Sequence, residues 1–231
     1  MIVYGKNSTK EVILAKRRIY KVLLDQKFQD KATMNLLEEH KINFKYVDKH
    51  QLNLLTDNGL HQGIVMEVED YHYYSLNDVI SNNMNNVLLL DKVTDPQNLG
   101  AIIRTSEAFK IDAIIIARKG QSQITPLVAK IASGALEHVK IVLVDNLHRT
   151  VLKLKEENYL IIGSSLDANK TIKEIPKVEK RCLIAGSEGL GMSYILKQSS
   201  DELVKIPMLG NVNSLNVSVA TAILIYELMN I

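Results

Sequence analysis

The chain has 231 residues and a single cysteine, Cys182. One thiol cannot close an internal disulfide, which fits a reducing cytoplasm. Its place in an apolar run marks it as small core filler rather than a nucleophile. No stretch of about 18 uninterrupted apolar residues occurs, so no membrane span is expected. The opening residues, Met1 to Lys6, lack the basic-then-apolar layout of a secretory leader. No glycine-rich loop ends in Gly-Lys-Ser or Gly-Lys-Thr, which excludes a phosphate-binding loop of that kind. His40, His50, His61, His72, His138 and His148 show no metal-ligand spacing, and no metal is expected. Net charge is only +2, too small to indicate a polyanionic partner by itself.

What the chain does have is an ordinary globular composition, 46% apolar and 23% charged, with length for one or two domains. Its charge is unevenly placed. Residues 1–49 hold eleven lysines and arginines against six acidic side chains, while the remainder is net acidic. Such a concentration suits either a phosphate-backbone contact or a solvated helix surface. Residues 1–70 read as a small α/β unit. Helical spacing runs from Val12-Ile13-Leu14 toward Val22-Leu23-Leu24, a second helix covers 31–40, and strands fall near 43–47 and 64–68. A polar, asparagine-rich stretch over 71–85 reads as a linker with a short helical turn. Its tyrosines, Tyr71, Tyr73 and Tyr74, are candidates either to stack on bases or to pack against a domain.

From residue 86 strand and helix alternate, which predicts a mostly parallel α/β sheet covered by helices on both faces. Strands are expected at 87–90, 113–117, 139–144 and 159–163, with helices ending at Phe109, opening at Thr125-Pro126 and covering 147–156. Three stretches of this part break the regular pattern. The first, Asp95-Pro96-Gln97-Asn98-Leu99-Gly100-Ala101-Ile102-Ile103-Arg104-Thr105, opens a helix with an Asp95 cap and Pro96 in the first turn. The second, Cys182-Leu183-Ile184-Ala185-Gly186-Ser187-Glu188-Gly189, runs from a short apolar strand into a glycine-rich turn carrying one carboxylate. The third follows a strand at 203–206. It passes Ile206-Pro207-Met208-Leu209-Gly210 into Ser214-Leu215-Asn216-Val217-Ser218-Val219-Ala220, where Ser214 is the expected cap of a helix to Asn230. A strand end, a tight loop and a helix N-terminus together offer free backbone groups to a ligand.

In this order and spacing, the three stretches resemble the signature motifs of the SpoU (TrmH) family of knotted RNA ribose 2′-O-methyltransferases. The likeness covers roughly 85–231 and is nearest to the bacterial enzymes that methylate a guanosine ribose in 23S rRNA. Tyr4-Gly5-Lys6-Asn7-Ser8 and His61-Gln62-Gly63 look like parts of the family's small N-terminal RNA-binding domain. The resemblance implies an α/β trefoil-knot methyltransferase domain over 86–231, joined by the 71–85 linker to the N-terminal α/β domain. It also implies a homodimer. Apolar residues on more than one face of the last helix are compatible with that, and equally with burial inside one chain.

The implied cofactor is S-adenosyl-L-methionine, held by Leu183, Ile184, Ala185, Gly186, Gly189, Ile206, Met208, Leu209 and Leu215. Glycines at 186, 189 and 191 would let the backbone approach it closely. The implied catalytic set is Asn98, Arg104, Glu188, Ser214 and Asn216. An arginine keeps its charge in essentially any setting, so Arg104 is expected to orient the acceptor and stabilise developing alkoxide rather than act as a base. Asn98 is expected to bond Arg104 or the ribose, and Glu188 to hold the arginine. Ser214 and Asn216 are expected to position phosphate and ribose. Ribosomal RNA is the first expected substrate and tRNA the second. Two rival classes stay open. Gly186-x-x-Gly189-x-Gly191 inverts the dinucleotide fingerprint of a nicotinamide enzyme, and an RNA-binding protein without catalysis would share the basic N-terminal region.

Overall fold

The structure is a computed structural model describing every residue except Glu188, Leu190, Val212, Asn213 and Ile231. Contacts divide the chain into two compact units: residues 1–72 with 124–138, and 73–123 with 139–231.

In the first unit the chain runs β1 (Ile2–Tyr4), α1 (Lys6–Leu14), β2 (Ile19–Asp25), α2 (Lys31–Glu39), β3 (Lys45–Val47), α3 (Lys49–Leu55) and β4 (Ile64–Val68). The sheet order is β1-β4-β2-β3, antiparallel except for the β2–β3 pair. Strand alternation fills both faces. Val22, Leu24, Ile64 and Met66 pack with Val12, Ile13 and Leu37 on one side. Leu23 and Val65 pack with Tyr4 and Leu52 on the other. The helical reading of Val22 to Leu24 is corrected here: these residues lie in β2. α1 ends at Leu14, and Lys16 turns the chain at φ +55°. A short apolar run buried on both faces looks alike as helix or strand in sequence, so periodicity could not separate them. α2 forms where expected, with the Asp30 carboxylate accepting from Thr33 N at 3.1 Å.

The second unit opens with α4 (Leu76–Ser81), the short helix expected in the asparagine-rich stretch, closed by a reciprocal Ser75–Asp78 capping box. There follow β5 (Asn86–Asp91), α5 (Pro96–Ala108) and β6 (Ala113–Ala117). The chain then leaves this unit for α6 (Pro126–Ala132), which opens at Thr125-Pro126 as expected and has Thr125 as its cap, and a 3-10 turn at Ala135–Glu137. Both pack within the first unit. Ser8 Oγ donates to Ala129 O at 3.3 Å, and Arg17 meets Glu137 at 2.8 Å in a nearly buried ion pair. Arg17 also donates to Glu69 O, so the buried guanidinium is not left short of acceptors. Tyr71 lies 6.0 Å from that guanidinium, the packing alternative for this ring.

The chain returns as β7 (Lys140–Val144), α7 (Leu147–Glu156), β8 (Leu160–Ser164), β9 (Arg181–Gly186), α8 (Tyr194–Ser199), β10 (Glu202–Val204) and α9 (Val217–Met229). All six strands of this unit's sheet are parallel, in the order β10-β8-β9-β5-β6-β7. β9 is inserted between β8 and β5, both of which precede it in sequence. The closing helix α9 packs against α5, against β9 and against the 3-10 turn Ile172–Glu174 within the β8–β9 connection. Strands buried on both faces read as continuous apolar runs, and Leu88, Leu89, Ile114, Ile115, Leu183 and Ile184 are all fully buried. Cys182 sits among them, and burial pushes its thiol pKa up to about 12. β10 stops at Val204, two residues short of the expected strand, and α8 had no counterpart in the sequence reading. No helix among the described residues is long and apolar enough to cross a membrane.

Candidate active site

Because every strand of the second sheet is parallel, the loops after β8, β9 and β10 emerge at one edge, where α/β sheets bind ligands. A cavity of about 390 Å³ opens there. Its walls come from Ser164–Asp167 after β8, Ala185–Ser187 with Gly189 and Gly191 after β9, the chain after β10, and the first turns of α9.

The turn after β9 is shaped by glycine. Ser187 and Gly191 exchange backbone hydrogen bonds at 3.1 and 3.0 Å, and Gly189 and Gly191 adopt φ +84° and +64°. A Cβ on Gly186 would collide with the Gly191 carbonyl carbon and the Met192 amide, so only glycine lets the turn fold back on its strand. The exit is fixed by Asp91 at the end of β5, whose buried carboxylate accepts from Ser193 N at 2.7 Å.

Opposite this turn, α9 begins two positions later than expected for a Ser214 cap and its helix. The cap is Asn216, whose Oδ1 accepts from Ser218 N at 2.9 Å and from Ser218 Oγ at 2.6 Å. Ser214 is exposed and lines the cavity instead. The Asn216 amide has a second use: Nδ2 donates to Asn98 Oδ1 at 3.0 Å, joining positions 118 residues apart. Asn98 stands in the first turn of α5, which Asp95 caps by accepting from Gln97 N at 2.8 Å. Asn98 thus meets Asn216 rather than Arg104. Arg104 is exposed on α5, and no hydrogen bond or ion pair engages it among the described residues. Glu188 lies outside the described residues.

Of the expected cofactor residues, Ala185, Gly186, Gly189, Ile206, Met208 and Leu215 line the cavity. Three do not. Leu183 and Ile184 lie mid-strand with both side chains fully buried in the core, and Leu209 is fully exposed. Sequence reasoning missed Asp91, the Ser164–Asp167 wall and Lys197 of α8. None of them carries a local pattern that sets it apart in the sequence. Lys197 donates to Asp167 Oδ2 at 2.8 Å, which holds that carboxyl below the usual carboxylate range. Among the described residues no cluster of histidine, cysteine, aspartate or glutamate is placed to hold a metal.

Fold and site together define an α/β protein with a cavity of small-molecule size at the ends of its parallel strands. Residues 85–226 match the SpoU rRNA Methylase family, and residues 2–74 match the domain described as RNA 2'-O ribose methyltransferase substrate binding. The Bacillus subtilis (strain 168) protein YacO, assigned to the TrmH family of tRNA/rRNA methyltransferases, is 35% identical over 97% of this chain and 93% of its own. A Staphylococcus saprophyticus protein of the same assignment is 33% identical over 98% and 94%. The solved SpoU methyltransferase AviRb of Streptomyces viridochromogenes, in complex with AdoMet, superposes with TM-score 0.85 at 20% identity, covering 100% of this chain and 89% of that one. An AdoMet-bound rRNA methyltransferase of Sinorhizobium meliloti gives 0.83 at 21% identity, covering 99% and 86%. This chain belongs to the SpoU/TrmH family of RNA methyltransferases. Its fold class is the α/β SPOUT methyltransferase fold with an N-terminal substrate-binding domain, and the family's cofactor is S-adenosyl-L-methionine. The nicotinamide-enzyme alternative is thereby removed.

Proposed function

We propose that this protein methylates a ribose 2′-hydroxyl of a guanosine in 23S rRNA, with tRNA as the second candidate substrate. The observation carrying the reading is the Asn216–Asn98 hydrogen bond, which brings the first and third motifs together beside the cavity. The cavity suits the cofactor. Its volume falls in the range of about 300–1,000 Å³ usual for small-molecule sites. Apolar side chains of Ile206, Met208 and Leu215 alternate there with strand-end backbone. S-adenosyl-L-methionine supplies a methyl carbon already activated by its sulfonium charge, so what the chain must supply is alignment.

In this reading Arg104, exposed and charged, orients the acceptor hydroxyl or its neighbouring phosphate and stabilises the developing alkoxide. The hydroxyl proton passes to a phosphate oxygen or to water. Asn98 and Asn216, fixed by each other, position the ribose, and Ser214 at the rim contacts the phosphate. Glu188 is assigned to hold Arg104. The domain division into 1–70, 71–85 and 86–231 belongs to the same reading, as does action in the cytoplasm as a homodimer.

Mapping ribose methylation across all cellular RNA with the gene deleted and restored tests the substrate. One guanosine of 23S rRNA should lose and regain its mark. A change confined to tRNA selects the second candidate, and no change in any RNA rejects the activity.

A further inference from the structure

The cavity wall formed by Ser164–Asp167 and Lys197 has no part in the chemistry above, yet it carries charge. Among the described residues only Asp167, Lys197 and Lys205 bring charged side chains to the cavity. Lys197 is largely covered, with 27% of its side chain exposed, and its ammonium is committed to Asp167 Oδ2 at 2.8 Å. The other oxygen of Asp167 has no partner among the described residues, and 82% of that side chain is exposed at the cavity rim.

Position decides what this oxygen would meet. The methyl group must be delivered beside Asn98 and Asn216, at the end of β5. β8 lies two strands away in the order β8-β9-β5, on the order of 10 Å across the sheet. A donor with its sulfonium at β5 and its nucleoside laid along the strand ends would bring its sugar toward β8; with the amino-acid tail laid there instead, that tail would meet the same wall. A nucleoside sugar offers two adjacent hydroxyl donors, and a fixed carboxylate is the side chain that accepts from them.

We propose that Asp167, held in place by Lys197, accepts hydrogen bonds from the vicinal hydroxyls of the bound nucleoside, with Lys197 as its positioning residue. This rests on the cofactor reading above. Selectivity for a ribonucleoside donor would then reside in the β8 loop, outside the three family motifs.

Calorimetry on the purified full chain tests it with S-adenosylhomocysteine, 5′-methylthioadenosine, which lacks the amino-acid tail, and the 2′- and 3′-deoxy forms of the latter. Asp167→Ala should weaken both parent ligands by a similar factor of about tenfold or more, the range of a hydrogen bond to a charged group. At least one deoxy form should bind the wild type about that much more weakly, and Asp167→Ala should then add no further loss. Lys197→Met should reduce the discrimination between hydroxyl and deoxy ligands. A loss confined to S-adenosylhomocysteine would place Asp167 at the tail and overturn the proposal. Unchanged affinity in Asp167→Ala, or additive losses with the deoxy ligands, would overturn it as well. Failure of the wild type to bind either parent ligand would instead reject the cofactor reading, so the two failures are distinguishable.

Discussion

Asn216 and Gly186 carry the site by different means. Asn216 is chosen for its amide, which caps a helix with the oxygen and ties α5 to α9 with the nitrogen. An alanine there would lose both. Gly186 is chosen for the absence of a side chain, because the turn after β9 occupies the space a Cβ would need. Gly186→Ala should cost about 1–3 kcal/mol through overpacking and weaken S-adenosyl-L-methionine binding by about tenfold or more as the cavity wall shifts. Thermal unfolding and calorimetry check the two parts, and unaltered cofactor affinity would contradict the role given to this turn. The sequence made Gly186 visible as a glycine in an odd place. It did not reveal Asp91, since a lone aspartate at a strand end looks the same whether it faces solvent or, as here, anchors Ser193 N from a buried position.

Helix α9 was legible as an apolar helix but not in how it is used. Leu215, Val219, Ala222 and Tyr226 share a stripe by spacing, yet Val219 is 47% and Tyr226 56% exposed. The face that fills the chain's own core is Val217, Thr221, Leu224, Ile225 and Leu228. A helix apolar nearly all round gives no period from which to choose the inward side. The exposed stripe also bears on the proposed homodimer. Tyr226 meets Phe109, just past α5, edge to face at 5.7 Å, so α5 and α9 share an outer apolar edge suited to a second copy. Tyr226→Glu should shift the solution mass by sedimentation from two chains to one without unfolding the protein. A wild-type protein of single-chain mass would contradict the dimer outright.

At the scale of the whole chain, the α/β alternation, two helix starts and the three motif loops could be read from sequence because each has a local signature. Asp95 before Pro96 and Thr125 before Pro126 are such signatures, and both are caps in the structure. The insertion of β9 between β8 and β5 is set by pairings more than 90 residues apart, such as Asn86 with Arg181, which no local pattern encodes. The grouping of residues 124–138 with the first unit is likewise long-range, resting on contacts such as Ser8 with Ala129. What the long-range order achieves is the meeting of the first and third motifs beside one cavity, with Arg104 left exposed on α5, as its proposed role toward an acceptor requires. The most direct measurement is Arg104→Ala assayed twice on one preparation, for S-adenosyl-L-methionine affinity by calorimetry and for methyl transfer to RNA. Affinity should stay within about threefold while transfer falls by roughly 100-fold or more. Transfer near the wild-type rate would contradict the account.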